Sequence, residues 1–264
     1  MPVTKIDRPS HVIIDNSVLS MLTECHCAEH AGKPARELLD LTQGRIIDYL
    51  SKLRTTAIEG LLHTTDLVCN EYKPERGHLG TRGLPRLVIQ SMVQCIRNEF
   101  ELMTVDTNTI AALRGLPGAN KRLVHPQNGL SDNDLSLVQL GLEMTRHGNP
   151  VVILSNDQDL IDFTTWVKTQ TSLCVNDQDP RLLLVETGLG YLELIHRSCL
   201  IPTDQMTQMI NYVITTTVSR MEQRPDGTQL NPQKAMKIIQ QATQVNTLFS
   251  KAVEIKAQNR STAS

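Results

Sequence analysis

The sequence predicts an α/β domain built on a mainly parallel sheet of about five strands, with a helical appendage at its C-terminal end. Short apolar runs rich in β-branched residues alternate along the chain with segments of helical periodicity, which is the order typical of parallel sheets. One such run, Val151–Leu154, stops abruptly at Ser-Asn-Asp. A run this short and this apolar is typical of a strand buried on both faces. The polar residues after it should therefore lie at the carboxyl edge of the sheet, where α/β proteins bind ligands.

The same two patterns predict the other elements. His11-Val-Ile-Ile-Asp15 reads as a short strand that ends in an acid and continues into a short helix. Further strands are expected over 61–72, running into Glu71, and over 100–106 and 181–186. Helices are expected over 35–54, 84–98 and 134–147, in a short segment that ends at Arg114, and from about 158 to 168.

The character of the chain changes after the fifth predicted strand. Two amphipathic helices are expected, the first with apolar positions between Met206 and Met221 and the second between Ile238 and Ala252. The sequence therefore predicts a domain over 1–198 and a helical extension over 199–264. We expect the apolar stripes to cover the domain or each other, and the alternative is a homo-oligomer or protein-partner interface.

Composition limits the classes of function. The chain has 264 residues, a formal net charge of −2 and only 3% aromatic residues. A nucleic acid would therefore have to be held by local basic patches, because there is neither a global basic field nor a set of aromatic residues for base stacking. No apolar stretch approaches membrane-spanning length and no secretory signal is apparent, so we expect no membrane association and a cytoplasmic protein.

Acidic residues stand at matching places on these elements. Asp15 and Asp157 follow predicted buried strands, Asp134 begins a helix, and Glu71 follows a strand-like segment. Three of them have a simpler explanation: Asp157 as a helix cap, Asp134 as part of a Ser131-x-x-Asp134 capping box, and Glu71 as an exposed loop carboxylate. Together they would nevertheless place three or four acids near one sheet edge. Like charges at close range raise one another's pKa unless a cation neutralises them, and hard divalent ions such as Mg²⁺ prefer such oxygen ligands.

Four short motifs resemble the PIN domain, a family of metal-dependent nucleases, in order and spacing over about residues 10–170. They are Ile14-Asp-Asn-Ser-Val-Leu19, Asp66-Leu-Val-Cys-Asn-Glu71, Ser131-Asp-Asn-Asp-Leu135 and Ile153-Leu-Ser-Asn-Asp-Gln-Asp-Leu160. The resemblance implies a PIN-like three-layer fold. It also implies a metal-dependent endoribonuclease that uses Mg²⁺ or Mn²⁺, acts on RNA or on single-stranded DNA, and leaves 5′-phosphate and 3′-hydroxyl ends.

The resemblance also implies roles for particular residues. Asp15, Glu71, Asp134 and Asp157 would be the catalytic acids that hold the metal, and Asp159 would be a fifth ligand. Ser17 and Ser155 would support them by hydrogen bonding. We also expect basic residues to grip the substrate backbone without reading its bases; these are Arg76, Arg82, Arg86, Lys121 and Arg122. The alternative for the basic residues is ordinary solvated surface charge.

Two other classes of function remain open. A phosphatase of the haloacid dehalogenase type also places an Asp after its first strand, but its chemistry needs a second Asp two residues later, where this chain has Ser17. The stronger alternative is a non-catalytic PIN-like scaffold or interaction module in an RNA-processing complex. A module of that kind has no physical need for clustered, unpaired acids, so the nuclease is the favoured interpretation.

Overall fold

The structure is a computed structural model and describes residues 9–19, 33–71, 86–116, 119, 130–170, 177–188, 190–191, 204, 207 and 210–211. Within these ranges five strands form one sheet in the order β3-β2-β1-β4-β5, and every neighbouring pair is parallel. The predicted α/β fold with a parallel sheet is confirmed. The strands are β1 (His11–Ile14), β2 (Leu62–Thr65), β3 (Glu101–Met103), β4 (Val151–Leu154) and β5 (Leu183–Glu186).

Helices connect the strands. They are α1 (Ala35–Arg54), α2 (Asp66–Glu71), α3 (Arg86–Glu99), α4 (Thr107–Arg114), α5 (Asp132–Met144) and α6 (Gln158–Val167), with a helical segment over 16–19 and 3-10 turns at Arg146–Gly148 and Pro180–Leu182. Helix α1 packs against α3, and α5 packs against strands β1, β2 and β4.

One predicted strand was too long. The segment over 61–72 divides after Thr65, where β2 ends and α2 begins, so Glu71 is carried by a helix. The Thr65 hydroxyl accepts a hydrogen bond from the backbone N–H of Val68 at 3.3 Å and so caps the first turn of α2. A short apolar run such as Leu67-Val-Cys69 has no periodicity that separates strand from helix, so the sequence pattern alone could not place this boundary.

The three central strands β1, β2 and β4 are buried on both faces, as the apolar runs predicted for β1 and β4, whereas the edge strand β3 is exposed. Ile13, Ile153 and Leu183 face α5 and are fully buried. Successive residues of a strand point to opposite faces, and Val12 and Ile14, which point away from α5, are equally buried. Helix α5 lies so close to the sheet that a Cβ atom at Gly141 would stand 2.5 Å from Leu183 Cδ1 and 3.2 Å from Ile153 Cδ1.

A pair of histidines lies toward the amino ends of β1 and β2. Nδ1 of His11 is 3.2 Å from Nε2 of His63, and the two rings meet edge to face. Burial lowers the pKa of both imidazoles, that of His63 to about 4. The Glu101 carboxylate lies 3.4 Å from Nδ1 of His63 without hydrogen-bond geometry, so this buried nitrogen has no hydrogen-bond partner among the described residues.

We expect His63→Gln to remove one contribution to folding that becomes unfavourable on mild acidification. The unfolded chain protonates this histidine below a pH of about 6.5 while the folded chain resists protonation down to about 4. Folding therefore becomes less favourable as the pH falls through this window, by roughly 2 kcal/mol at pH 5. Urea unfolding at pH 7 and pH 5 measures the stability of both proteins, and the stability of the variant relative to the unmodified protein should be greater at pH 5 than at pH 7. An equal difference at the two pH values would show that His63 is protonated in the folded protein.

The chain divides into two compact units, Met1–Thr187 and Gly188–Ser264. The predicted boundary near residue 198 and the two C-terminal helices fall almost entirely outside the described residues, so they stay predictions. Among the helices that the structure describes, none combines the length and the hydropathy needed to cross a membrane.

Candidate functional site

Asp15 stands at the carboxyl edge of the sheet and is 6% exposed. Its backbone N–H extends the pairing of β1 with β4 by donating to the carbonyl of Leu154 at 2.9 Å. This register places the Asp15 side chain beside Ser155, whose hydroxyl donates to Oδ2 of Asp15 at 2.7 Å. The hydroxyl of Ser17 donates to the same oxygen.

The two hydroxyls are themselves oriented by the backbone. Ser17 Oγ accepts from the N–H of Asn156 and Ser155 Oγ accepts from the N–H of Asp157, each at 2.9 Å. Each hydroxyl therefore accepts from a backbone N–H and donates its proton to Asp15, because an ionised carboxylate can only accept. The hydrogen bonding that the resemblance implied for Ser17 and Ser155 is thus present.

Asp134 lies in the first turn of α5 and forms the predicted capping box. The Ser131 hydroxyl accepts from the backbone N–H of Asp134 at 3.2 Å, and Oδ2 of Asp134 accepts from the backbone N–H of Ser131 at 2.8 Å. The pKa of Asp134 is raised to about 7, first by burial and then by the charges of Asp15 and Asp157, while the hydrogen bonds with Ser131 oppose the rise. Helix capping alone does not explain why the Asp134 carboxylate lies within the electrostatic range of Asp15 and Asp157.

Asp157 is the N-cap of α6, as one interpretation of the sequence proposed. Its Oδ1 accepts from the backbone N–H of Asp159 at 2.9 Å. Its charge nevertheless acts on both Asp15 and Asp134, so the capping position also brings it into the acidic cluster. Asp159 is exposed in the first turn of the same helix, and its role as a fifth ligand stays a prediction.

Glu71 ends α2 and is half-buried, so the alternative of an exposed loop carboxylate is wrong. Its Oε2 accepts from the side-chain amide of Asn16 at 2.7 Å, and its Oε1 accepts from the side-chain amide of Asn133. Neither asparagine was predicted as a site residue from the sequence. Asn16 directly follows Asp15, and Asn133 directly precedes Asp134. This adjacency to predicted acids was the signal in the sequence that could have indicated them.

The structure thus brings the four predicted acids into one electrostatic cluster, which we call the acidic site: Asp15, Glu71, Asp134 and Asp157. Burial raises the pKa of Asp15 to about 6, and the charges of Glu71 and Asp157 add to the rise. Hydrogen bonds from Ser17 and Ser155 oppose it. The charged neighbours that raise the pKa of Asp15 and Asp134 are carboxylates, so an added cation would relieve the repulsion.

The donor set suits a hard divalent cation that keeps part of its water. Among the described residues, no group of three or more His, Cys, Asp or Glu side chains stands close enough to hold a metal ion by itself. Mg²⁺ does not require such a group, because it is held through one or two carboxylates, waters and substrate phosphates. In the described part of the chain, Asp15 and Asp134 accept their side-chain hydrogen bonds at Oδ2, which leaves Oδ1 of each for a cation.

The predicted substrate-binding residues cannot be placed in the site. Arg76, Arg82, Lys121 and Arg122 fall outside the described residues. Arg86 is described only as the first residue of α3. The basic grip on a substrate therefore stays a prediction from the sequence.

Comparison of the chain with protein-family models, with curated proteins and with solved structures finds no significant match. A function for this chain therefore has to be argued from its own residues. Among the residues that the structure describes, the acidic site has the most specific chemistry.

Proposed function

We propose that this protein is a divalent-metal-dependent nuclease, an endoribonuclease that hydrolyses phosphodiester bonds at the acidic site. One observation carries the proposal: four carboxylates from different segments lie near enough at the carboxyl edge of a parallel sheet for their charges to interact, and the pKa values of two of them are raised. This edge is the ligand-binding edge of α/β proteins, and perturbed carboxylates in such a place are typical of functional sites.

The cluster is costly to the folded protein. A pKa of about 6 for Asp15 means that keeping this carboxylate ionised at neutral pH costs roughly 3 kcal/mol relative to the unfolded chain. Helix capping and core packing require no such cost. A cation that binds the folded state would offset it, which favours a binding site over a purely structural role.

The residues have separable tasks under this proposal. Ser17 and Ser155 fix Asp15 through Oδ2, and the capping box fixes Asp134 in the same manner. One or two of the four acids Asp15, Asp134, Asp157 and Glu71 would hold the ion directly, and the others would bind its waters. A bound divalent ion stabilises the negative charge that develops on oxygen during phosphodiester hydrolysis. The identity of the nucleic acid rests on the resemblance to PIN domains, with single-stranded DNA as the alternative substrate.

The test is cleavage by the purified full chain. Mixed RNA and single-stranded DNA are incubated with Mn²⁺, with Mg²⁺ or with EDTA, and the fragments are examined for 5′-phosphate ends. We expect cleavage of RNA that requires the metal. Metal binding without cleavage of either polymer would contradict the nuclease and favour the non-catalytic scaffold, and the absence of both would contradict a metal site altogether.

Substrate grip gives a second prediction. Replacing Arg76, Arg82 and Arg86 together by Ala should weaken RNA binding and make it less sensitive to salt, because fewer counterions are released when fewer phosphates are neutralised. Binding measured by fluorescence anisotropy from 50 to about 200 mM salt gives the slope. Arg181→Ala is a suitable control because this side chain already pairs with Asp179 at 2.8 Å. A slope equal to that of the unmodified protein would assign the three arginines to ordinary surface charge.

A further inference from the structure

The Glu71 carboxylate is held by two side-chain amides, one on each oxygen. We propose that Asn16 and Asn133 are positioning residues that fix Glu71 for the cation at the acidic site. This inference rests on the proposed function and extends it to two residues that have no acidic or basic chemistry of their own.

The two amides tie Glu71 to both of its acidic neighbours. Asn16 directly follows Asp15 in the helical segment after β1, and Asn133 directly precedes Asp134 in the first turn of α5. The Glu71 side chain therefore bridges the two backbone segments that carry the buried acids. A shift of α2 relative to either segment would break one of these hydrogen bonds, so the pair defines where the third carboxylate stands.

Amides suit this task better than lysine or arginine would. An asparagine N–H donates a hydrogen bond without adding a positive charge, so Glu71 is oriented and keeps its full attraction for a cation. An ionised carboxylate has about four acceptor positions, and each amide uses one of them. Both oxygens of Glu71 thus retain capacity to bind a metal ion or one of its waters.

The position of Glu71 explains why donors are needed. Glu71 and Asp15 carry like charges that act on each other. Without the amides, the most favourable place for this side chain would be away from the other acids. Asn16 is buried and Asn133 is half-buried, so the hydrogen bond from Asn16 is the better shielded from competing water.

The test is a calorimetric titration of the metal-free full chain with Mn²⁺. Asn133→Ala should weaken Mn²⁺ binding by about 10- to 100-fold, the range typical of residues that orient metal ligands. Asn108→Ala is the matched control, because Asn108 is likewise the second residue of a helix, α4, and its side-chain amide donates to Oδ1 of Asp106 at 3.4 Å, outside the acidic site. Asn16→Ala should act as Asn133→Ala does, with circular dichroism in EDTA to show that each variant is folded.

A double-mutant cycle separates positioning from a general structural role. Glu71→Ala should weaken Mn²⁺ binding, and adding Asn133→Ala to it should cause no further loss, because the asparagine acts only through Glu71. A further tenfold loss in the double variant would overturn the inference, as would normal affinity in Asn133→Ala. If the unmodified protein binds no Mn²⁺, the proposed function and this inference both fail, whereas normal affinity in Asn133→Ala contradicts this inference alone.

Discussion

Asp15→Asn is expected to reduce metal-dependent cleavage by at least about 100-fold. Substituting a residue that only orients metal ligands typically reduces activity by about 10- to 100-fold, and the loss of a ligand should be larger. Asp15 is the most buried of the four acids and accepts two serine hydroxyls at Oδ2. Asparagine can accept the same hydrogen bonds, so the variant removes charge and keeps the local geometry. The measurement is the initial rate of RNA cleavage with saturating Mn²⁺.

The same substitution should leave the metal-free protein as stable as the unmodified protein or more so. Asp15 has a pKa of about 6 in the folded chain against 3.8 for an unperturbed carboxyl, so the folded state holds its proton more tightly. Stability therefore falls as the pH rises from 3.8 to about 6, and an asparagine at this position does not contribute to that fall. Above about pH 6, the metal-free Asp15→Asn variant should therefore be more stable than the unmodified protein by roughly 3 kcal/mol.

Urea unfolding in EDTA at pH 5 and pH 8 measures this gain, and Asp40→Asn on the exposed surface of α1 is the control for a general charge effect. If Asp15→Asn cleaves RNA at the rate of the unmodified protein, Asp15 is not a residue of the catalytic site. Full inactivity together with a large loss of metal-free stability would instead mean that the aspartate holds the fold together.

Gly141→Val is expected to destabilise the protein by roughly 3 kcal/mol, the upper part of the usual range for overpacked cores. The new side chain would meet Leu183, Ile153 and Ile13, which are all fully buried and come from the three strands β5, β4 and β1. Because these neighbours are fully buried and a Cβ atom would already stand 2.5 Å from Leu183 Cδ1, we expect α5 to move away from the sheet. Because α5 carries Asn133 and Asp134, such a shift should also disturb the acidic site.

Gly44→Val is the matched control, since a Cβ atom at this position in α1 meets nothing within 4 Å. Valine and glycine differ by only a few tenths of a kcal/mol in helix propensity, so this variant should be almost neutral. Chemical unfolding of the two variants gives the comparison. Equal stability would mean that the helix can move off the sheet without cost.

Local pattern was sufficient to predict the strands and most of the helices. Val151–Leu154 is apolar at every position and His11–Ile14 nearly so, and runs of this kind become strands buried on both faces. The capping box at Ser131 and Asp134 was also predictable, because all of its hydrogen bonds join residues three apart in the sequence. The strand ends in turn predicted where Asp15 and Asp157 would lie.

The sequence alone thus determined a parallel α/β sheet with acids at its carboxyl edge, since strand and cap signals depend on neighbours along the chain. Only the tertiary structure decided that β1 lies beside β4, which places Ser155 against Asp15 across 140 positions of sequence. It also decided that the Glu71 carboxylate accepts hydrogen bonds from both Asn16 and Asn133, and that position 141 has no room for a side chain. The reason is physical: strand order, the packing distance of α5 and the partners of a buried carboxylate depend on residues far apart in the chain, and no local periodicity encodes them.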